Sequence, residues 1–208
     1  FVGGGDWKPQ VIHGNDWQTA LLPVYLRAVC AKEPSLSRVG TLHSIHNLAY
    51  QGIFAPSVLE AVGLDRSLFT MERMEFYGQV NFLKGALVFA DLLNTVSERY
   101  AEEIQTPEYG ERLEGVLAKR RDRLFGILNG LDYEAWNPAT DTLIAANYDA
   151  DDLKSKARNK AALQNALNLP ARAEVPLFGL VSRLAGQKGL DILVEALPHL
   201  LRLDVQLT

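Results

Sequence analysis

A short loop near the end of the chain carries two cations between small residues. It reads SRLAGQKG, residues 182–189, and follows the apolar run VPLFG. Arg183 offers a planar fork of donors and Lys188 a mobile point charge, and both residue types bind phosphate oxygens. Gly186 and Gly189 allow the backbone to turn tightly and approach a ligand closely. The loop therefore predicts a diphosphate site, and the alternative is a pair of solvated charges on a surface loop.

The loop matches neither of the two common phosphate-binding fingerprints. It lacks the G-x-x-x-x-G-K-[ST] pattern of a P-loop and the G-x-G-x-x-G pattern of a dinucleotide site. A helix is predicted to begin directly after it, and the positive end of a helix dipole favours an anion. The absent G-x-G-x-x-G counts against a dinucleotide-dependent oxidoreductase, which is one alternative class for this chain.

Three further polar clusters follow predicted strands. They are HGNDW at 13–17, HNLAYQG at 46–52 and NG at 129–130. A single His or Asn after a strand usually caps a loop. In open α/β sheets, however, ligands bind beyond the carboxyl ends of the strands, where all of these clusters fall. Together with the cationic loop they predict one binding site.

The elements that must position these clusters alternate between strands and helices. Strands are predicted within PQVIHGNDW, RVGTLHSIHN, LLNTVS, LFGILNG, VPLFGLV and DVQLT. Helices are predicted within WQTALLPVYLRAVCAKE (interrupted at Pro23), GQVNFLKGALVFAD, ERYAEEIQ, ERLEGVLAKRRDR, DLKSKARNKAALQNALNL and LDILVEAL. This alternation predicts an α/β fold with parallel sheets and right-handed crossovers.

Several local expectations follow from these patterns. The first strand should end near His13, and Asp16 and Ser97 should cap the helices that follow them. VPLFGLV should be buried on both faces, as in a parallel sheet. LDILVEAL should pack its leucine face on that sheet. Residues 129–150 lack a sustained period, so we expect two units, 1–130 and 131–208, the second with little more than one strand–helix repeat.

Composition excludes several classes of protein. The net charge of −4 argues against a general nucleic-acid binder. No apolar run approaches the ~20 residues needed to span a membrane. The single cysteine, Cys30, cannot form an intrachain disulfide, which fits a reducing compartment. The acidic DAD at 149–151 stands at a predicted helix start, where carboxylates are favoured in any case. No plausible metal-ligand set emerges.

The phrases HNLAYQGIF, EFYGQVNFLKGALVFAD, NTVSERYAEEI, GILNGLDYEAWNPATD and VSRLAGQKGLDILVEALP resemble the bacterial glycogen synthase and plant starch synthase family. The resemblance runs in order from about residue 8 to residue 202. It implies a GT-B fold, in which two Rossmann-like domains face each other across a cleft. Residues 1–130 would be the C-terminal part of the N-terminal, acceptor-side domain. Residues 131–208 would be the linker and the start of the nucleotide-sugar-binding domain, so both domains would be incomplete.

The resemblance also implies the reaction and the residues that perform it. Glucose would pass from ADP-glucose to the non-reducing end of an α-1,4-glucan, with retention at the anomeric carbon. Apart from the resemblance, the default location is the cytoplasm, with the plastid as the alternative if the protein is of plant origin. Arg183 and Lys188 would hold the donor diphosphate and stabilise departing ADP, so no metal or other cofactor would be needed. His46 would lie beside the donor glucose at the reaction centre, Asn129 would contact that sugar, and Asp16 would line the cleft.

The chain departs from the family at its first cluster. The family usually has H-A-H-D-W-H, whereas this sequence has HGNDWQ, so Asn15 and Gln18 replace two histidines. Both can still form hydrogen bonds, and we expect altered tuning more than lost chemistry. The family's K-x-G-G-L loop would precede Phe1, and its E-x-x-x-x-x-x-x-E segment would follow Thr208. We therefore expect the 208-residue chain alone to be inactive. A UDP-sugar-dependent GT-B enzyme and a non-catalytic glucan-binding homologue remain the alternatives.

Overall fold

The computed structural model describes residues 9–208 and divides into two units, one ending at Gly130 and the other beginning at Leu131. The strands of the described residues are β1 Val11–Asn15, β2 Gly40–Ile45, β3 Ile53–Phe54, β4 Glu75–Phe76, β5 Gln79–Asn81, β6 Leu92–Thr95, β7 Leu124–Gly126, β8 Leu177–Phe178 and β9 Gln206–Leu207. The α-helices are α1 Leu21–Val24, α2 Val58–Ala61, α3 Phe82–Phe89, α4 Glu98–Glu103, α5 Glu114–Lys119, α6 Lys156–Ala166 and α7 Leu190–Leu200. None of these helices is long and apolar enough to cross a membrane.

The first unit is built on a parallel four-stranded sheet with strand order β1-β2-β6-β7. Asn15 pairs with Ser44, and Ser44 pairs with Asn94 on the next strand. Helices connect the parallel strands, so the predicted α/β class with a parallel sheet is confirmed. Because the strands run in the same direction, their carboxyl ends meet at one edge of the sheet.

One face of this sheet forms the core. Thr41, His43 and Ile45 alternate along β2 and are all buried, as a period of two requires. The helices pack over them in two apolar clusters, whose fully buried side chains include Ile45, Leu48, Leu83, Leu87, Leu93 and Leu117 in one and Val24, Leu59, Met74 and Val80 in the other. The opposite face carries exposed Val11, Leu92 and Phe125.

The segment GQVNFLKGALVFAD is not entirely helical, contrary to the prediction. Its first residues form β5, the central strand of a small antiparallel sheet with order β3-β5-β4. Helix α3 begins only at Phe82, because the side chain of Asn81 accepts the backbone N–H of Lys84 at 2.9 Å and caps the helix there.

The two predicted caps in the first unit have opposite outcomes. Ser97 caps α4, because its hydroxyl accepts the N–H of Tyr100 at 2.9 Å, as predicted. Asp16 precedes a 3-10 turn at Trp17–Thr19 but makes no capping bond, so that prediction is wrong. Pro23 lies inside α1, which is followed without a gap by a π-helical turn at Tyr25–Val29, so the helix changes type after Pro23 and is not broken there.

The second unit contains α6, α7 and the parallel pair β8–β9. The prediction that VPLFGLV is buried on both faces is wrong for this chain, since β8 has two residues and Phe178 is 51% exposed. The face of α7 that carries Leu190, Leu193 and Leu197 is only partly buried, so the packing that we expected is incomplete. The reason is that β8 pairs only with β9 among the described residues, whereas burial on both faces requires a wider, covered sheet.

Candidate functional site

The carboxyl edge of the four-stranded sheet brings Asp16 and His46 together. Asp16 directly follows β1, and His46 directly follows the neighbouring β2. The backbone N–H of His46 donates to Asp16 Oδ1 at 2.8 Å. The N–H of Asp16 in turn donates to the carbonyl of Ser44 at 2.9 Å. The two loops are therefore joined by two hydrogen bonds at the point where a ligand is expected to bind.

Asp16 holds a backbone conformation that normally requires glycine. Its φ is 53° and its ψ −173°, and such a conformation costs about 1–3 kcal/mol for a residue with a side chain. The bonds to Ser44 and His46 stabilise it. Since strained residues of this kind concentrate at functional sites, the conformation supports a functional role for this corner.

Asn15 completes the corner. Its side-chain Oδ1 lies 3.0 Å from Nε2 of His46. The hydroxyl of Thr19 accepts the backbone N–H of Asn15 and donates to the Asn15 carbonyl, at 2.5 and 2.7 Å. Asn15, Asp16 and His46 thus form one hydrogen-bonded group, which we call the β1–β2 corner.

A buried histidine lies beneath the β1–β2 corner. His43 is fully buried, and neither ring nitrogen has a hydrogen-bond partner among the described residues. It pairs with Gly14 across the sheet, where a Cβ on Gly14 would lie 2.9 Å from its Nδ1. Burial lowers the pKa of His43 to about 4; the charge of Asp16 opposes this shift and that of His13 adds to it. The ring is therefore neutral at physiological pH.

A polar chain crosses the other face of the sheet. Nε2 of His13 lies 2.6 Å from the hydroxyl of Ser44, which donates to Oδ1 of Asn94 at 2.5 Å. The single hydroxyl proton is used toward Asn94, so the Ser44 oxygen accepts from His13. These three residues come from β1, β2 and β6 and tie the strands together next to the β1–β2 corner.

Asn129 lies at the same edge of the sheet but farther along it. Strand β7 ends at Gly126, and Ile127 still donates its N–H to the carbonyl of Thr95. Two strand spacings, roughly 10 Å, separate β7 from β2. Asn129 is exposed, and no hydrogen bond between described residues joins it to Asp16 or His46.

The second unit carries the cationic loop between β8 and α7. Lys188 lies in a 3-10 turn at Gly186–Lys188, and its N–H donates to Ala185 at 2.9 Å. Gly189, with φ 69°, then turns the chain into α7. Arg183 and Lys188 are both exposed, and neither takes part in an ion pair between described residues. Both cations and the N-terminus of α7 can therefore meet an anion from solvent.

The acidic DAD segment stabilises a turn. Oδ1 of Asp149 accepts the backbone N–H groups of Asp151 and Asp152 at 2.9 and 2.8 Å, which closes a turn. Within residues 9–208, no group of three His, Cys, Asp or Glu side chains is placed to hold a metal ion.

Comparison with known proteins identifies the family. Residues 1–119 match the family model of the starch synthase catalytic domain. The chain is 54% identical over 202 residues to a glycogen synthase from Thermotoga petrophila, covering 97% of this chain and 42% of that protein. This chain belongs to the glycogen and starch synthase family. A second relative, glycogen synthase 2 of Geobacter sulfurreducens, is 52% identical over 206 residues, with 99% and 43% coverage.

A solved structure of the family has the same fold. The catalytic domain of starch synthase IV from Arabidopsis thaliana, bound to ADP and acarbose, matches with a TM-score of 0.88 and 38% identity, covering 96% of this chain and 41% of that one. The predicted GT-B type of α/β fold is thereby confirmed. This glycogen and starch synthase chain spans about two fifths of the length of the relatives that it matches.

Two features of the site were not predicted from the sequence. Asn15 was recognised only as a departure from the family pattern, whereas its amide contacts His46. His43 was not among the predicted site residues, whereas its buried ring packs against Gly14 under the β1–β2 corner. For Asn15, the contact could have been predicted, since the pairing of β1 with β2 puts Asn15 beside the end of β2. For His43, the only signal was its position in β2, because alternate residues of a strand share one face and the other residues of that face are buried.

Proposed function

We propose that the complete protein transfers glucose from ADP-glucose to the non-reducing end of an α-1,4-glucan, with retention at the anomeric carbon. One observation carries the proposal. The relative that matches 96% of this chain was solved with ADP and acarbose, which correspond to a nucleotide product and a sugar ligand. The glycogen synthases at 54% and 52% identity support the same reaction.

We assign the two units to the two sides of this reaction. Residues 1–130 would contribute to the acceptor-side domain, and residues 131–208 would form the linker and the start of the nucleotide-sugar-binding domain. Support comes from the division at Gly130 and from the cationic loop in the second unit. A cytosolic location is part of the proposal, and the single cysteine is compatible with it.

Arg183 and Lys188 would bind the diphosphate of the donor. As the bond to the anomeric carbon breaks, negative charge grows on the departing ADP, so cations fixed beside it stabilise the transition state more than the bound substrate. Arg183 can bind two phosphate oxygens at once, and Lys188 supplies a point charge. Both are exposed, and neither forms an ion pair with a carboxylate of residues 9–208, which supports this role. Two such cations would make a divalent metal unnecessary.

The β1–β2 corner would bind the reacting sugar. His46 would lie beside the donor glucose, and Asn129 would contact that sugar with its amide. Asp16 would line the cleft, and its carboxylate also accepts the backbone N–H of His46. The charge-assisted bond would hold the His46 backbone in place during turnover, because such bonds are stronger than neutral ones.

The proposal is tested by assaying the complete protein for release of ADP from ADP-glucose in the presence of glycogen and EDTA. We expect turnover with ADP-glucose, slower turnover with UDP-glucose and no NAD binding. If the complete protein releases no ADP, the proposed function is wrong. Faster turnover with UDP-glucose would assign the donor to the UDP-sugar class. The 208-residue chain, assayed in parallel, is expected to be inactive.

A further inference from the structure

We propose that Asn15 is a positioning residue for His46: its side-chain oxygen orients the His46 ring and selects which ring nitrogen carries the proton. The structural part of the proposal stands on the contact between Asn15 Oδ1 and His46 Nε2, 3.0 Å apart. Only its consequence for turnover rests on the proposed function.

The backbone of Asn15 is fixed from both sides. The hydroxyl of Thr19 bonds both its N–H and its carbonyl. Asn15 is also the last residue of β1, paired with Ser44 of β2. The side-chain amide is therefore attached to a fixed backbone, which a contact that orients another side chain requires.

The backbone of His46 is fixed independently. Its N–H donates to Oδ1 of Asp16 at 2.8 Å. The Asn15 contact is therefore not needed to keep the two loops together. It acts on the one part of His46 that the other bonds leave free to rotate, which is the ring. Since both side chains are exposed, a hydrogen bond between them adds little to the stability of the fold.

The contact has a chemical consequence for the ring. An amide oxygen only accepts hydrogen bonds, so Nε2 of His46 must carry the proton. In the neutral ring the lone pair then lies on Nδ1. Asn15 thereby determines which nitrogen of His46 can accept a hydrogen bond and which donates one. A carbon side chain at position 15 would remove that selection without changing the backbone bonds.

Two substitutions of similar size separate this role from a structural one. Asn15→Leu keeps the shape of the side chain but removes the acceptor. Asn15→Asp keeps an acceptor oxygen in the same place. The matched control is Asn94→Leu, which removes a hydrogen bond of the same kind, to Ser44 on the same face of the sheet, without touching His46. All three are made in the complete protein.

The first readout needs no activity. Nitrogen-15 NMR of labelled histidine at mildly alkaline pH, where a histidine ring is ordinarily neutral, reports the tautomer of His46; the signals are assigned with His46→Gln. We expect the Nε2–H form in the wild type, Asn15→Asp and Asn94→Leu, and a mixture of tautomers in Asn15→Leu. An unchanged tautomer in Asn15→Leu would overturn the proposal even if the protein proved to have another activity.

The second readout is the split between kcat and KM for ADP-glucose. We expect Asn15→Leu to lower kcat about threefold to tenfold, the scale of one neutral hydrogen bond, with KM changed less than twofold. Asn15→Asp should recover most of the kcat at mildly alkaline pH. Equal losses of kcat in Asn15→Leu and Asn94→Leu would mean general destabilisation and would overturn the positioning role. If the wild type is inactive, the proposed function fails while the NMR result still decides the role of Asn15.

Discussion

The two units hold their candidate site residues in different ways. In the first unit, Asp16, His46 and Asn15 bond to one another at the edge of a parallel sheet whose other residues form the core. In the second, Arg183 and Lys188 project from an exposed loop beside a helix with no buried residue. One site region is fixed by side-chain contacts and the other by backbone turns at Gly186 and Gly189.

The two regions therefore contribute to the proposed site in different ways. The β1–β2 corner has few charges, but its side chains are joined by hydrogen bonds. Its contribution is therefore geometric, because these bonds hold His46 in place. Among the described residues, Arg183 and Lys188 of the cationic loop take part in no ion pair, so the contribution that we propose for them is electrostatic. Loss of a charge should therefore affect turnover more than loss of a single positioning contact, because in the proposed reaction the charge would act directly on the departing diphosphate.

The largest effect is expected from the cations of the second unit. Arg183→Ala or Lys188→Ala in the complete protein should lower kcat by about a hundredfold or more, the scale of removing one transition-state donor. The measurement is the rate of ADP release at saturating ADP-glucose. Arg202→Ala, which removes another exposed cation from the same unit, is the matched control and should leave kcat unchanged. A loss below threefold at either Arg183 or Lys188 would contradict the phosphate role.

The next effect is expected at Asp16. Asp16→Ala removes a charge-assisted hydrogen bond to the His46 backbone and should lower kcat about tenfold to a hundredfold. Asp16→Gly removes the same bond but tolerates φ 53°. It should therefore be more stable than Asp16→Ala, by about 1–3 kcal/mol in urea unfolding, while losing as much kcat. Equal stability of the two variants would show that the backbone at Asp16 is not strained.

Most of the first unit was predictable from sequence, and the reason is visible in particular residues. The parallel strands alternate with helices along the chain, and Ser97 is followed by a helix that it caps. The proximity of Asp16 and His46 also followed, since each comes directly after a strand of one parallel sheet. The prediction that Asp16 caps the following helix was wrong because its carboxylate accepts the backbone N–H of His46, which follows the neighbouring strand, and no N–H of the following turn.

The second unit was less predictable because β8 and α7 have the residue patterns of well-covered elements, and the described residues cover them only partly. VPLFGLV has the composition of a strand buried on both faces, yet β8 pairs only with β9 among the described residues. Helix α7 has a regular leucine face that is only partly buried. The roles of Arg183, Lys188, Asn129 and His46 remain predictions for a related reason. Residue types and strand ends predict which residues meet a ligand, whereas the atoms that they contact depend on the shape of the donor.

A third effect concerns acid and the buried ring of His43. Its pKa is lowered to about 4 by burial, from the ordinary 6.5, so the unfolded chain takes up this proton more readily than the folded one. The stability contributed by the neutral ring is present above pH 6.5 and is lost as the pH falls toward 4. Between pH 7 and pH 5 the loss should be about 2 kcal/mol.

His43→Phe isolates this contribution, because it keeps a buried ring but has no proton to gain. Urea unfolding of the complete protein at pH 7 and pH 5 gives the acid-induced change in the free energy of unfolding for wild type and variant. Other acidic and basic groups contribute equally to both, so the difference between the two changes belongs to His43. If both proteins lose the same stability between pH 7 and pH 5, His43 is not the buried neutral group described above.

The smallest effect compares a helix start in each unit. Ser97 accepts the N–H of Tyr100 and caps α4, whereas Ser155 precedes α6 without a side-chain capping bond. Ser97→Ala should lower the local stability of α4 by about 1 kcal/mol, and Ser155→Ala should change that of α6 by less than about 0.5 kcal/mol. Hydrogen exchange of the α4 and α6 amides measures each helix separately in the complete protein. Equal losses of local stability in α4 and α6 would mean that Ser155 also caps α6. The two units would then differ in how they hold their site residues but not in how their helices begin.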